Sequence, residues 1–155
     1  MRGAMQKRSA GLLMYRRTSD LLEVLLIHPG GPFWVKKDLG SWSIPKGEYG
    51  ESEDAHGAAK REFVEETGFS YGDCFIPLGT QKQPSGKLVS AWAFEGNCDP
   101  DQLVSNVFEM EWPPKSGKLE SFPEADRAAW FEIEEARRKI VKSQLKFLDE
   151  LVRKF

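Results

Sequence analysis

The sequence predicts an α/β domain of the mixed α+β kind, and three observations carry that prediction. Short apolar runs bounded by turn residues recur on both sides of one strongly helical segment near the middle of the chain. A second helical period closes the sequence. The length of 155 residues suits one ordinary core, so residues 1–155 are expected to form a single domain. With 40% hydrophobic and 12% aromatic residues, the composition fits a packed globular core and argues against disorder.

The elements follow in order. Residues 8–17, RSAGLLMYRR, and 21–28, LLEVLLIH, read as two strands around the polar turn Thr18, Ser19 and Asp20. The run 29–49, PGGPFWVKKDLGSWSIPKGEY, is too rich in Gly and Pro for a helix and too aromatic for a passive linker, so a shaped loop is expected. Residues 52–67 carry the first helix: Ser52 suits its N-cap, Glu53 and Asp54 suit its positive end, and Gly68 supplies the stop. Its apolar stripe is Ala55, Ala59 and Phe63. Strand character returns at 74–82, 87–95 and 103–112, with Pro84, Ser85 and Gly86 as a hairpin turn. Residues 127–133 read as one more strand. From Glu134 to Phe155 the apolar positions Ala136, Ile140, Val141, Leu145, Leu148, Val152 and Phe155 predict one helix docked on the sheet.

Charge narrows the function. Twenty-two basic against twenty-four acidic side chains leave a net charge of -2, which argues against a general affinity for duplex nucleic acid or an anionic membrane. A small-molecule nucleotide recognised locally remains open as a partner. The basic residues Arg137, Arg138, Lys139, Lys142 and Lys146 are expected on a solvated helix face. No apolar run nears the roughly 20 residues of a spanning helix, and the start MRGAMQKRSAGLLMYRR turns charged too soon for a secretory signal, so the expected address is the cytoplasm. Cys74 and Cys98 lack CxxC spacing and are expected to be reduced structural thiols. His28 and His56 have no paired ligand spacing and receive no role.

The chemistry is concentrated in residues 47–69, GEYGESEDAHGAAKREFVEETGF. Glu62, Glu65 and Glu66 stand at i, i+3 and i+4, so a helix sets them on one stripe with Cβ atoms roughly 5–6 Å apart. Each like-charge pair costs about 0.2–0.5 kcal/mol in an isolated helix, which conflicts with foldability unless cations relieve it. An acidic helix face in water is the ordinary account of such a string. A hard divalent cation with oxygen ligands is the other, and it would bring phosphoryl chemistry with it.

The same run resembles the Nudix hydrolase signature at every fixed position: Gly47, five residues, Glu53, seven residues, then Arg61-Glu62-Phe63-Val64-Glu65-Glu66-Thr67-Gly68-Phe69. The resemblance implies a Nudix fold, a mixed β-sheet sandwiched between helices. It implies Mg²⁺ or Mn²⁺ held by Glu62, Glu65 and Glu66 with the backbone of Gly47 close by, Glu66 or Glu62 handling the attacking water, Arg61 orienting the cluster, and Glu53 bracing the loop. Many family members add an acidic residue from a later loop, and Glu124 in SFPEADRAAWF is the candidate, ahead of Glu109 and Glu111.

Ahead of the box, WSIPKGE resembles the lead-in of the branch that cleaves diadenosine polyphosphates. That implies a phosphate contact for Lys46 and makes Trp42 a substrate-binding candidate, with Trp34 and Phe33 as further rings able to stack on a base. The tyrosine that this branch usually carries 16 to 18 positions past the box is replaced by Ser85, Gly86 and Lys87. Pro84 instead falls where family ADP-ribose hydrolases tend to carry proline, although a hairpin turn explains it fully. The expected activity is a pyrophosphohydrolase acting on dinucleoside polyphosphates or nucleoside triphosphates. ADP-ribose or another nucleotide sugar, or a binding module without catalysis, are the alternatives.

Overall fold

A computed structural model describes residues 7–155; the opening MRGAMQ of the segment read against a secretory signal lies outside the described residues. The chain builds β1 (Arg8–Thr18), β2 (Leu21–Pro29), β3 (Lys46–Glu48), α1 (Ala55–Thr67), β4 (Ile76–Lys82), β5 (Leu88–Glu95), β6 (Val107–Glu111), β7 (Leu119–Pro123), β8 (Ala125–Glu132), α2 (Ile133–Lys139) and α3 (Leu145–Val152). Among these residues no helix is long and apolar enough to cross a membrane.

The main sheet runs β4-β5-β1-β2-β8, with β3 also paired to β1. β1 lies parallel to β5 and antiparallel to β2 and β3, so the sheet is mixed. Residues Ser9–Tyr15 are all buried, the burial expected of a central strand covered on both faces. Ala10, Leu12 and Met14 pack with Ala58, Ala59 and Phe63 of α1. Leu13 and Tyr15 point the other way and pack with Ala136 of α2 and Phe147, Leu148 and Leu151 of α3. The sheet is thus sandwiched between helices, as the resemblance implied.

Three expectations need correction. The cap of α1 is Asp54, not Ser52: Asp54 is extended (φ -79°, ψ 154°) and its carboxylate accepts the Gly57 N–H at 3.1 Å, so the helix starts at Ala55. The far end holds as read, with Gly68 in the left-handed region (φ 75°) and its N–H on the Val64 carbonyl at 2.8 Å. The C-terminal segment is not one helix. Ile140 is extended, the Trp42 N–H donates to the Lys139 carbonyl at 2.9 Å, and the Val141 N–H donates to the Trp42 carbonyl at 2.7 Å. These bonds to the lead-in loop draw the backbone out of the helix between α2 and α3. Lastly, 103–112 yields only β6, and β7, whose polar sequence gave no strand signal, pairs with it in a separate two-stranded sheet with Phe108 opposite Phe122.

The basic residues near the end are tied down by ion pairs: Arg137 to Glu134 and Asp149, Arg138 to Glu135, and Lys139 to Asp38. Both cysteines are free thiols.

Candidate active site

The second half of α1 presents the acidic stripe, and Arg61 organises it. Its guanidinium grips both Glu53 oxygens (Nε–Oε2 2.7 Å, Nη2–Oε1 2.9 Å), while Nη1 reaches Glu62 Oε2 at 2.8 Å and both Glu65 oxygens at 3.3 Å. This fork explains why arginine suits the position: a lysine ammonium offers no planar two-pronged grip. Arg61 holds the Glu53 carboxyl below the usual carboxylate range. Burial pushes Glu62 upward, with Arg61 opposing.

β3 closes over the stripe. A Cβ built on Gly47 would lie 2.0 Å from the Glu62 carboxyl carbon, so only glycine lets that carboxylate lie against the backbone. One residue earlier, the Lys46 N–H donates to Glu66 Oε2 at 3.2 Å. Glu66 is the most perturbed carboxyl of the group: burial, followed by the charges of Glu62 and Glu124 against the opposing Lys46 contacts, pushes it up to about 8. Burial, reinforced by Lys87, holds the Lys46 ammonium below the usual lysine value.

Glu124 joins the group through a two-step backbone bridge. The Asn106 N–H donates to the Glu65 carbonyl at 2.9 Å, and the Glu124 N–H donates to the Asn106 carbonyl at 2.8 Å. Glu62, Glu65, Glu66, Glu124, Lys46 and Gly47 consequently line one cavity of about 450 Å³. The rival acids lie elsewhere: Glu109 sits on β6 opposite Ser121, and Glu111 accepts the Lys115 and Gly117 N–H groups of the β6–β7 turn. Ser9, Glu48, Lys87 and Asn106 also line the cavity, and none was singled out from the sequence. They come from β1, β3, the β4–β5 hairpin and the connector before β6, so no spacing in the chain announces them.

Trp42 is a core residue. Its ring is 4% exposed, its indole N–H donates to Asp38 Oδ1 at 2.8 Å, and it packs edge-on against His28 and Phe131. It touches a cleft of about 840 Å³ along β8 that contains none of the acidic stripe. Trp34, 41% exposed, is better placed for stacking: with Pro84 and Val141 it lines an apolar cavity of about 440 Å³ that Lys46 shares with the carboxylate cavity. Phe33 packs edge-on against Trp112 instead. His28 is fully buried and bridges Asp126 Oδ1 (2.8 Å) and the Lys37 carbonyl (2.6 Å), and His56 stacks on Trp92.

The donor set fits a hard cation, since carboxylate oxygens and a glycine backbone are what Mg²⁺ or Mn²⁺ accepts and the Gly47 gap admits the Glu62 carboxylate. Among the described residues, however, no three carboxylate, imidazole or thiolate groups yet converge tightly enough to hold an ion. Arg61 draws two of the three stripe glutamates to itself.

The site is an Arg-bridged glutamate stripe facing a glycine-bearing strand, set in a helix-sheet-helix sandwich. The family model for the NUDIX domain matches residues 5–151, and the chain belongs to that family. Comparison with curated proteins found no match. Among solved structures, the chain is similar to a C. elegans Ap4A hydrolase (23% identity, 96% of this chain and 98% of that one, TM-score 0.59). It is also similar to the NUDIX domain of Shewanella oneidensis NrtR complexed with ADP ribose (12% identity, 98% and 90%, TM-score 0.65). A MutT/nudix family protein from Enterococcus faecalis matches at 19% identity and TM-score 0.60 over 85% of this chain, which spans only 46% of that protein. At these identities the likeness is one of fold.

Proposed function

We propose that residues 1–155 form one catalytic unit, a divalent-metal-dependent pyrophosphohydrolase that cleaves a phosphoanhydride bond in nucleoside polyphosphates. The observation that carries this reading is the single cavity in which Glu62, Glu65, Glu66 and Glu124 face Lys46. Mg²⁺ or Mn²⁺, when bound there, would supply charge stabilisation on the phosphates and a more acidic water. Glu62, Glu65 and Glu66 would hold it beside the Gly47 backbone, with Arg61 and Glu53 keeping the stripe in register. Glu66 or Glu62 would accept the proton of the attacking water, and Glu124 would add a further carboxylate. As water adds to phosphorus, the P–O–P bond breaks and the bridging oxygen leaves with one product. Lys46 would neutralise a phosphate, and Trp34 would offer its ring to a base in the adjoining cavity.

Dinucleoside polyphosphates and nucleoside triphosphates are the favoured substrates, because Lys46 would meet a phosphate beyond those that ADP-ribose carries. ADP-ribose is the second reading, favoured by Pro84, which forms the hairpin turn and also lines the Trp34 cavity. A substrate panel with product identification tests both. Diadenosine tetraphosphate or a nucleoside triphosphate should exceed ADP-ribose in kcat/KM by about tenfold or more, and Lys46→Ala should bring the ratio toward one. ADP-ribose as best substrate, with a ratio unmoved by Lys46→Ala, would overturn the preference. No turnover on any substrate would leave a binding module.

A further inference from the structure

His28, near the end of β2, is fully buried, yet it makes two polar contacts across the fold. Its Nδ1 lies 2.8 Å from Asp126 Oδ1 on β8, and its Nε2 lies 2.6 Å from the Lys37 carbonyl oxygen in the loop that follows β2. Both partners accept hydrogen bonds. A neutral imidazole has one N–H and one bare nitrogen, which would set a lone pair against an oxygen at one of these contacts. The two bonds together therefore require a proton on each nitrogen, and the Asp126 carboxylate is the counter-charge that a buried cation needs. Further charges stand around the pair. Arg127, opposite His28 in the strand register, has its Nε 3.7 Å from Asp126 Oδ1 and its guanidinium over the Trp42 ring. Asp38 is engaged by Trp42 and Lys139, and Lys36, Lys37 and Asp101 line the cleft beside Asp126.

The loop contact reaches the site. The Lys37 N–H donates to the Trp34 carbonyl at 2.9 Å and the Trp34 N–H to the Gly31 carbonyl at 3.3 Å, so Lys37 closes the turn that carries Trp34. Residues 33–40 are all exposed, and burial does little to fix that turn. We propose that His28 is a positioning residue: as an imidazolium bridging Asp126 and the Lys37 carbonyl, it latches the Trp34 turn to β8 and keeps the Trp34 ring at its cavity. The proposal rests on the pyrophosphohydrolase reading for what that ring meets, a base of the substrate, and on the hydrogen-bond geometry for the latch itself. A charged donor makes the stronger hydrogen bond, which suits a contact that must hold an exposed turn.

The test joins spectroscopy to kinetics on the whole chain. Nitrogen NMR of histidine-labelled protein, with His28 assigned through His28→Gln, should show a proton on both ring nitrogens at neutral pH. With diadenosine tetraphosphate and Mg²⁺, His28→Gln should raise KM by about fivefold and leave kcat within about twofold, since the ring it positions meets the base and not the reacting phosphate. In a Trp34→Ala background the same change should add nothing to KM, because both substitutions remove one contact. A bare ring nitrogen in the native chain at neutral pH, or KM effects that simply add in the double variant, would overturn the proposal. If His28→Gln fails to fold, Asp126→Asn, at a partly exposed position, carries the test: it should leave one ring nitrogen bare and raise KM in the same way. The two readings fail separately. Turnover with additive effects removes the latch alone. Absence of turnover on any substrate removes the hydrolase, and the latch then stands or falls on the Trp34 indole resonance, which should shift in His28→Gln and would stay in place if His28 served only as core packing.

Discussion

Gly47 and Glu62 share one small volume: the Glu62 carboxyl occupies the place where any side chain on residue 47 would begin. The contact couples β3 to α1 at the start of the acidic stripe. It predicts a specific split for Gly47→Ala. The obstructing atoms are the far end of a flexible side chain, so the carboxylate can swing aside and the fold should lose no more than about 1 kcal/mol. Turnover should fall by about tenfold or more, because the carboxylate cannot swing aside and also keep its place in the stripe. Thermal melts and kcat measured on the same preparation check the split; equal activity with unchanged metal dependence would disprove it.

Burial and position rank the acids. Glu66→Gln or Glu62→Gln should cut turnover by about a hundredfold or more with the fold retained, since in the proposed reaction each would serve metal or water. Glu124→Gln should cost a smaller but clear factor. Glu109→Gln, on the separate β6–β7 sheet, should cost nothing. Chelator should abolish activity in every active variant. A larger loss at Glu109 than at Glu124 would mean that the Asn106 bridge does not deliver the fourth carboxylate to the chemistry.

Asp38 anchors the lead-in loop, accepting from the Trp42 indole at 2.8 Å and from the Lys139 ammonium at 2.5 Å. These bonds, the Lys139 one first, hold its carboxyl below the usual aspartate value. The stability it adds is therefore present above the unfolded aspartate value of about 3.9 and is lost as pH falls through the lower folded value. Asp38→Asn should melt below the native protein at neutral pH, and the two should converge in strong acid. Melting curves across that range check this; a constant gap at every pH would show that the carboxylate charge is irrelevant.

Local chemistry made much of the molecule legible in one dimension. The stripe of Glu62, Glu65 and Glu66 follows from helical period alone, Gly68 ends the helix because glycine accepts the left-handed conformation, and β1 and β2 follow from apolar runs around a polar turn. Other features depend on groups far apart in sequence. The apolar period from Ala136 to Phe155 is real, yet bonds from Trp42 break the helix at Ile140, and no local propensity encodes a partner about a hundred residues away. Trp42 reads equally well as a stacking ring or a core ring until its neighbours His28 and Phe131 are known. Ser9, Glu48 and Lys87 carry no spacing that joins them, since they come to line one cavity only when β1, β3 and β5 pair. Sequence by itself determined the reactive helix, because its pattern is set within a few turns of one chain segment; tertiary structure alone decided what faces that helix, because a cavity's opposite wall is made by strand pairing, which depends on long-range register.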